Sequence, residues 1–262
     1  MKNKKYVSLY FVFAVTLPCA ALNTSIFAAT SDGLPLENSS YDACIAATKD
    51  NPEQAFEEAV AWRDEGGGSA AEHCVAVALL ALGYAGEAAA RLDALARENL
   101  GGTEEQRSEL MIQAGEAWLL AGRANLARDS FSVALQLTPR KAEAWAARAR
   151  AHTVDAEEEM AESDLDAAII FDNFKPEYYV LRSIARSTLG KDELAANDLE
   201  IALQIEPNFP DALAERGLMK FEAGDEDGAR EDWIKVLIIA PESAAADVVR
   251  SGIERMEINL EP

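Results

Sequence analysis

Apolar side chains recur at helical spacing along most of the chain, three or four residues apart, in short stretches that Gly or Pro interrupts. The clearest stretches repeat. Met111-x2-Ala114-Gly115-x2-Trp118 is followed by Ala127-x3-Phe131 and Pro139, and Leu213-x2-Arg216-Gly217 by Ala229-x3-Trp233 and Pro241. Pro139, Asn173, Pro207 and Pro241 fall 34 residues apart without insertion or deletion, which sets four units: 108–141, 142–175, 176–209 and 210–243. The middle units carry Trp145, Ala161, Leu165 and Ala168, then Tyr179, Ala195, Leu199 and Ala202. Each unit reads as two antiparallel helices too short to bury a face alone, so neighbours must stack. Small residues such as Gly115, Ala127 and Ala195 let helices approach closely, while Trp118, Phe131 and Trp233 fill the gap between units. Gly122, Gly190 and Gly224 sit where each first helix must stop and turn.

This pattern resembles the tetratricopeptide repeat, and over nearly the whole exported part the chain resembles secreted bacterial proteins of that family. The resemblance implies an all-α fold, a right-handed superhelical solenoid of antiparallel helix pairs, with four repeats over 108–243. Upstream, residues 41–107 read as two divergent hairpins. One joins 40–49 to 52–65 through Asp50-Asn51-Pro52; the other joins 70–84 to 86–98, breaks at Gly86 and ends at Gly101-Gly102. Ser69-x-x-Glu72 and Thr103-x-x-Gln106 read as capping boxes. Residues 244–262 supply a capping helix over 244–258 and a tail. Two other features have plainer readings than their composition suggests. Gly66-Gly67-Gly68-Ser69 lacks the Gly-Lys-Ser/Thr ending of a phosphate cradle and reads as a connecting loop. Asp225-Glu226-Asp227-Gly228 falls where a second helix begins, where acids suit the helix dipole rather than a calcium ion.

Charge and cysteine content change the picture at the N-terminus. Lys2, Lys4 and Lys5 precede an apolar run from Tyr6 to Leu17, then small residues, the three-part form of a secretory signal over 1–28 with cleavage after Ala28. An uncleaved anchor extending through Leu22 is the alternative. Residues 29–40 read as a disordered segment. Cleavage moves the net charge from −22 to −25 and removes Cys19, leaving Cys44 and Cys74. In an oxidising compartment that pair reads as a disulfide, with two buried thiols as the alternative. His73 beside Cys74 lacks zinc spacing, so no metal or cofactor is expected. The acidity argues against nucleic acid and against an anionic membrane surface. The expected destination is the periplasm or the exterior, with no membrane insertion after cleavage.

Comparing the repeats with one another separates scaffold from candidate site. Arg148, Arg182 and Arg216 share one position, and Asp164, Asp198 and Asp232 follow sixteen residues later; the first repeat has Ala114 and Ser130 at those places. Arginine and aspartate occur together or not at all, which predicts structural Arg–Asp pairs within or between repeats. A second ladder, Glu109, Glu143, Glu177 and Asp211, occupies the second position of each repeat. It reads as first-turn acid, and the family resemblance places it at the border of a concave groove. By the same resemblance Ile112, Glu116 and Leu119, then Arg150, then Val180 and Ile184, then Leu218 and Phe221 line that groove. Chaperone-binding relatives hold a terminal carboxylate there with Lys, Asn and Arg, and this chain has Ile112 and Glu116 in the first repeat instead. An apolar floor with an acidic rim suits an amphipathic or basic segment.

These features predict a scaffold or adaptor that binds a protein or peptide segment in its groove. The alternative is a self-associating structural module, a homo-oligomer. An enzyme is not expected: the chain has two His, no Ser-His-Asp or metal constellation, and His152 reads as a packed or groove residue.

Overall fold

The computed structural model describes residues 39–98 and 102–258. The signal segment 1–28, residues 29–38, residues 99–101 and the tail 259–262 lie outside the described residues. The described part is all helix, and two compact units, 39–155 and 156–258, divide it. Each is taken by itself.

In residues 39–155 seven helices run in sequence: α1 (Ser39–Asp50), α2 (Pro52–Asp64), α3 (Gly68–Ala81), α4 (Ala85–Arg97), α5 (Glu104–Leu120), α6 (Ala124–Leu137) and α7 (Ala142–Val154). Consecutive helices pack as antiparallel neighbours, α1 also touches α3, and α5 touches α7. Helix α1 begins at Ser39, two residues inside the segment expected to be disordered. The Thr103 capping box forms in both directions: Gln106 N–H donates to Thr103 Oγ1 at 3.3 Å, and Thr103 N–H to Gln106 Oε1 at 2.8 Å. It starts α5 a full turn ahead of the repeat boundary at 108. The Ser69 box does not form. Helix α3 starts at Gly68 behind Gly67, no side chain caps it, and Glu72 is held instead by Arg91 at 2.8 Å. The break between α3 and α4 also falls at Gly83 rather than Gly86. Gly83 takes φ +84°, and Tyr84 N–H bonds back to Leu79 O. The same left-handed closure, with a six-to-one backbone bond, ends α5 at Gly122.

The core of this unit is built from Ala with a few large residues. Leu92, Leu95, Met111, Ile112 and Phe131 are buried among Ala76, Ala114, Ala127, Ala134 and Ala147. A methyl group at Gly115 would collide with the Phe131 ring, so glycine there is a packing requirement. Cys44 and Cys74 form a disulfide, Cα atoms 6.4 Å apart, that ties α1 to α3 within a second cluster of Ala59, Val75, Leu79 and Ala88.

Residues 156–258 contribute α8 (Glu158–Phe171), α9 (Pro176–Thr188), α10 (Asp192–Ile205), α11 (Pro210–Glu222), α12 (Glu226–Ile239) and α13 (Ala244–Ile258). Helices α9 and α10 pair, as do α11 and α12; α8 packs on α9, and α13 covers α12 and α11. Asp225 caps α12, accepting Gly228 N–H at 3.0 Å, as its place at a helix start demands. Trp233 is buried against Leu213, Ala229, Val249 and Met256, and its Nε1 donates to Ala214 O at 3.1 Å. Gly190 and Gly224 close α9 and α11 with positive φ. At the matching position the unit opens with Ala156, also at positive φ, +56°, where an L side chain is strained.

Candidate functional site

The charged residues of the repeats fall into a buried scaffold network and an outward carboxylate ladder. In the scaffold, Arg182 forks onto Asp198, Nε to Oδ2 at 3.0 Å and Nη2 to Oδ1 at 2.6 Å. Arg216 forks onto Asp232 in the same way, at 2.8 and 2.6 Å. Each aspartate also takes a second base one turn further along the first helix: Arg186 donates to Asp198 and Lys220 to Asp232, both at 2.8 Å. Asp198 has no solvent exposure at all, and two cations satisfy its buried carboxylate. Burial works to raise the Asp232 carboxyl, but hydrogen bonds from Arg216 and Lys220 hold it below the ordinary aspartate value. Arg186 also reaches Glu162 at 2.9 Å. Lys191 reaches the same carboxylate at 2.5 Å, and the two cations hold Glu162 low despite its burial.

Sequence comparison missed that second base. The signal is present: His152, Arg186 and Lys220 share one repeat position. Arg148 donates to Ser132 Oγ at 3.2 Å and lies over the Trp145 ring, while Asp164 is buried in α8. Those two belong to different compact units.

The outward ladder is not uniform. In residues 39–155, Glu109 is ion-paired with Lys141, and Glu116 with Arg150. These contacts satisfy within the chain three residues expected to await a partner. Glu143 remains exposed, yet its carboxyl is raised, first by local desolvation and then by Glu109 and Glu116, against the opposing pull of Lys141 and Arg150. In residues 156–258, Glu177 is exposed, and Asp211 is raised above the ordinary aspartate value by burial and then by Glu177. The cause places Glu177 and Asp211, equivalent residues of successive repeats, within each other's field.

The expected apolar floor differs most from expectation. Ile112, Val180 and Leu218 are buried core residues, packed respectively among Met111 and Phe131, Tyr179 and Leu199, and Leu213 and Trp233. An apolar residue flanked by helix-packing positions sinks between neighbouring helices, a fate that spacing alone does not reveal. Leu119, Ile184 and Phe221 are half-buried at the margins of those clusters. Phe221 also lies 5.7 Å from the Trp233 ring and beneath Arg255 at 5.9 Å. In residues 156–258 what stays open is Glu177, with the half-buried Asp211, Ile184 and Phe221 on the same two helices.

His73 has a structural environment. It is buried, with Tyr41 Oη 2.8 Å from Nδ1 and Gln113 Oε1 2.8 Å from Nε2. A neutral ring protonated on Nε2 satisfies both, and burial lowers its pKa against the smaller effects of Gln113 and Glu109. Among the described residues no cluster of His, Cys, Asp or Glu could hold a metal ion, and no helix is long and apolar enough to cross a membrane.

Comparison with known proteins gives the fold. No protein-family model matches the chain, and no curated protein matches it. Among solved structures, it is similar to TTC0263, a thermophilic tetratricopeptide-repeat protein of Thermus thermophilus. That match has 20% identity and a TM-score of 0.58, covering 71% of this chain and 98% of that one. MamA from Desulfovibrio magneticus RS-1 matches with 19% identity and a TM-score of 0.56, over 67% of this chain and 97% of that one. Cut9, from a hetero-tetramer of the anaphase-promoting complex with Hcn1, matches at 14% identity and a TM-score of 0.60, over 80% of this chain and 42% of the other. The chain has the tetratricopeptide-repeat fold.

Proposed function

We propose that the protein is an exported tetratricopeptide-repeat scaffold that binds a basic or amphipathic protein segment, with a periplasmic or extracellular working place. Binding rather than catalysis suits this fold, and one neighbour in fold, Cut9, works within a hetero-tetramer. The observation that carries the reading is the Glu177–Asp211 pair. Two carboxylates of successive repeats lie in each other's field, and Asp211 is raised by burial and by that neighbour. A lysine or arginine side chain placed between them relieves the repulsion and returns the raised carboxyl toward its ordinary value. Binding therefore weakens as pH falls through the raised Asp211 value and as salt rises. The same acidity, −22 over the full chain, disfavours self-association through like surfaces.

The test is capture from periplasmic extract with the exported form of the protein, compared with Glu177→Lys and Asp211→Lys. The account predicts a partner retained by the wild type and lost by the pair of substitutions. Retention by that variant would move the site elsewhere. Leu218→Glu is not a surface probe, because Leu218 is only 7% exposed and the change would disrupt the core. Export is checked separately, by cell fractionation and by N-terminal sequencing, which should begin at Ala29.

A further inference from the structure

Ten large apolar side chains are exposed among the described residues, and eight of them lie in residues 156–258. Ile170 at the end of α8 and Ile238 at the end of α12 occupy the same repeat position two repeats apart, 78% and 73% exposed. Ile234 stands one helical turn before Ile238, and Phe174, 78% exposed, follows Ile170 in the loop to α9. The matching places are Ser132 and Gln136 in the repeat 108–141, and Glu200 and Gln204 in the repeat 176–209 between the two isoleucine-bearing helices, so the repeat architecture does not require apolar residues there.

Carboxylates surround this edge. Glu231 precedes Ile234 and Ile238 on one face of α12, and Glu200 on α10 holds the place of Ile234 one repeat earlier. Both are exposed, and both lie near enough to help raise the Arg216 guanidinium pKa. The unit as a whole carries 25 Asp and Glu against 10 Lys and Arg. So negative a surface, with apolar side chains on either side of Glu200 and Gln204, is complementary to a helix that carries both apolar and cationic residues. It repels both a second copy of this acidic chain and an anionic lipid surface.

We propose that this second-helix edge of residues 156–258, centred on Ile170, Ile234 and Ile238, is a docking surface for a cationic amphipathic helix of another protein. It is separate from the Glu177–Asp211 ladder on the first helices and does not depend on it. The probe is a fluorescent helical peptide of about 18 Leu and Lys residues with one apolar face, titrated by anisotropy into the full exported chain. Its counterpart with Glu in place of Lys is the control. Glu177→Gln with Asp211→Asn first silences the ladder.

In that background the cationic peptide still binds, the acidic one does not, and adding Ile170→Asp with Ile238→Asp weakens binding about tenfold or more. Both isoleucines are exposed, so circular dichroism and the unfolding midpoint stay unchanged. Loss of all binding in the ladder variant overturns this edge while leaving the ladder reading intact. Equal binding with and without the isoleucine substitutions also overturns it. So does a concentration-dependent dimer that these substitutions abolish, because the occupant would then be a second copy.

Discussion

The two compact units use the same repeat positions for opposite ends. In residues 39–155 the outward carboxylates Glu109 and Glu116 are paired off by Lys141 and Arg150, and the interior polar group at the aspartate position is Ser130. The unit gains its constraint from a disulfide and from the buried Tyr41–His73–Gln113 chain. In residues 156–258 the cations turn inward, onto Asp198 and Asp232, and the outward face keeps its carboxylates and its exposed isoleucines. Arg182 and Arg186 bridge the internal Asp198 to the carboxylates Asp166 and Glu162 nearer the surface, at 2.7 and 2.9 Å.

The sharpest way to break this contrast is to remove the internal acid. Asp198→Ala removes the fully buried carboxylate of the network, leaving Arg182 and Arg186 only Asp166 and Glu162, and is expected to cost about 3 kcal/mol. Ser130→Ala at the matching position loses one weak contact to Asp93, at 3.3 Å, and should cost about 1 kcal/mol or less. Urea unfolding of the two variants checks both. If they fall together, the Arg–Asp network is not what distinguishes the units. Of similar size is the disulfide. Cys44→Ala with Cys74→Ala should lower the stability of residues 39–155 by about 3–4 kcal/mol in the chain-entropy model. Hydrogen exchange should then show faster opening of α1 and α3, with α11 and α12 unaffected.

About 1 kcal/mol is expected from relieving Ala156. Ala156→Gly removes the strain of a side chain at φ +56° and should raise the melting temperature. The same substitution at an exposed helical alanine, such as Ala90, should lower it. The subtlest difference is the pH window. The folded His73 pKa lies below its ordinary 6.5, so its contribution is complete above that value and declines as pH falls below it. Asp232 is held below its ordinary 3.8, so its contribution persists above that value and is lost only as pH falls through the folded value. Residues 39–155 should therefore weaken at milder acidity than residues 156–258, and His73→Gln should flatten the former profile. Residue-level exchange between pH 7 and pH 4 reads the order.

Much of this was legible from the 34-residue register. The helices, the glycine closures at 122, 190 and 224 and the partners of Arg182 and Arg216 follow from residues that must recur at fixed spacing. The Cys44–Cys74 disulfide followed from an even cysteine pair in an oxidising compartment, and their place on neighbouring hairpins made it geometrically reasonable. What failed to show was depth. Ile112, Val180 and Leu218 have the same helical phase as groove residues, and only packing against adjacent helices decides that they are buried. Nor does periodicity report pairings such as Glu116 with Arg150, in which a 34-residue separation brings two side chains of consecutive repeats together. Gly83 was missed as the turn because that hairpin lies outside the regular register and Gly86 is the more conspicuous break.

If the second unit carries the binding surface, a bound partner protects its first helices. The most direct measurement is hydrogen exchange over the full chain, with and without the partner captured by the wild type. The account predicts new protection in α9 and α11 around Glu177 and Asp211, with little change in α1 to α4. Protection confined to α1 to α4, with α9 and α11 exchanging as in the free protein, would contradict it.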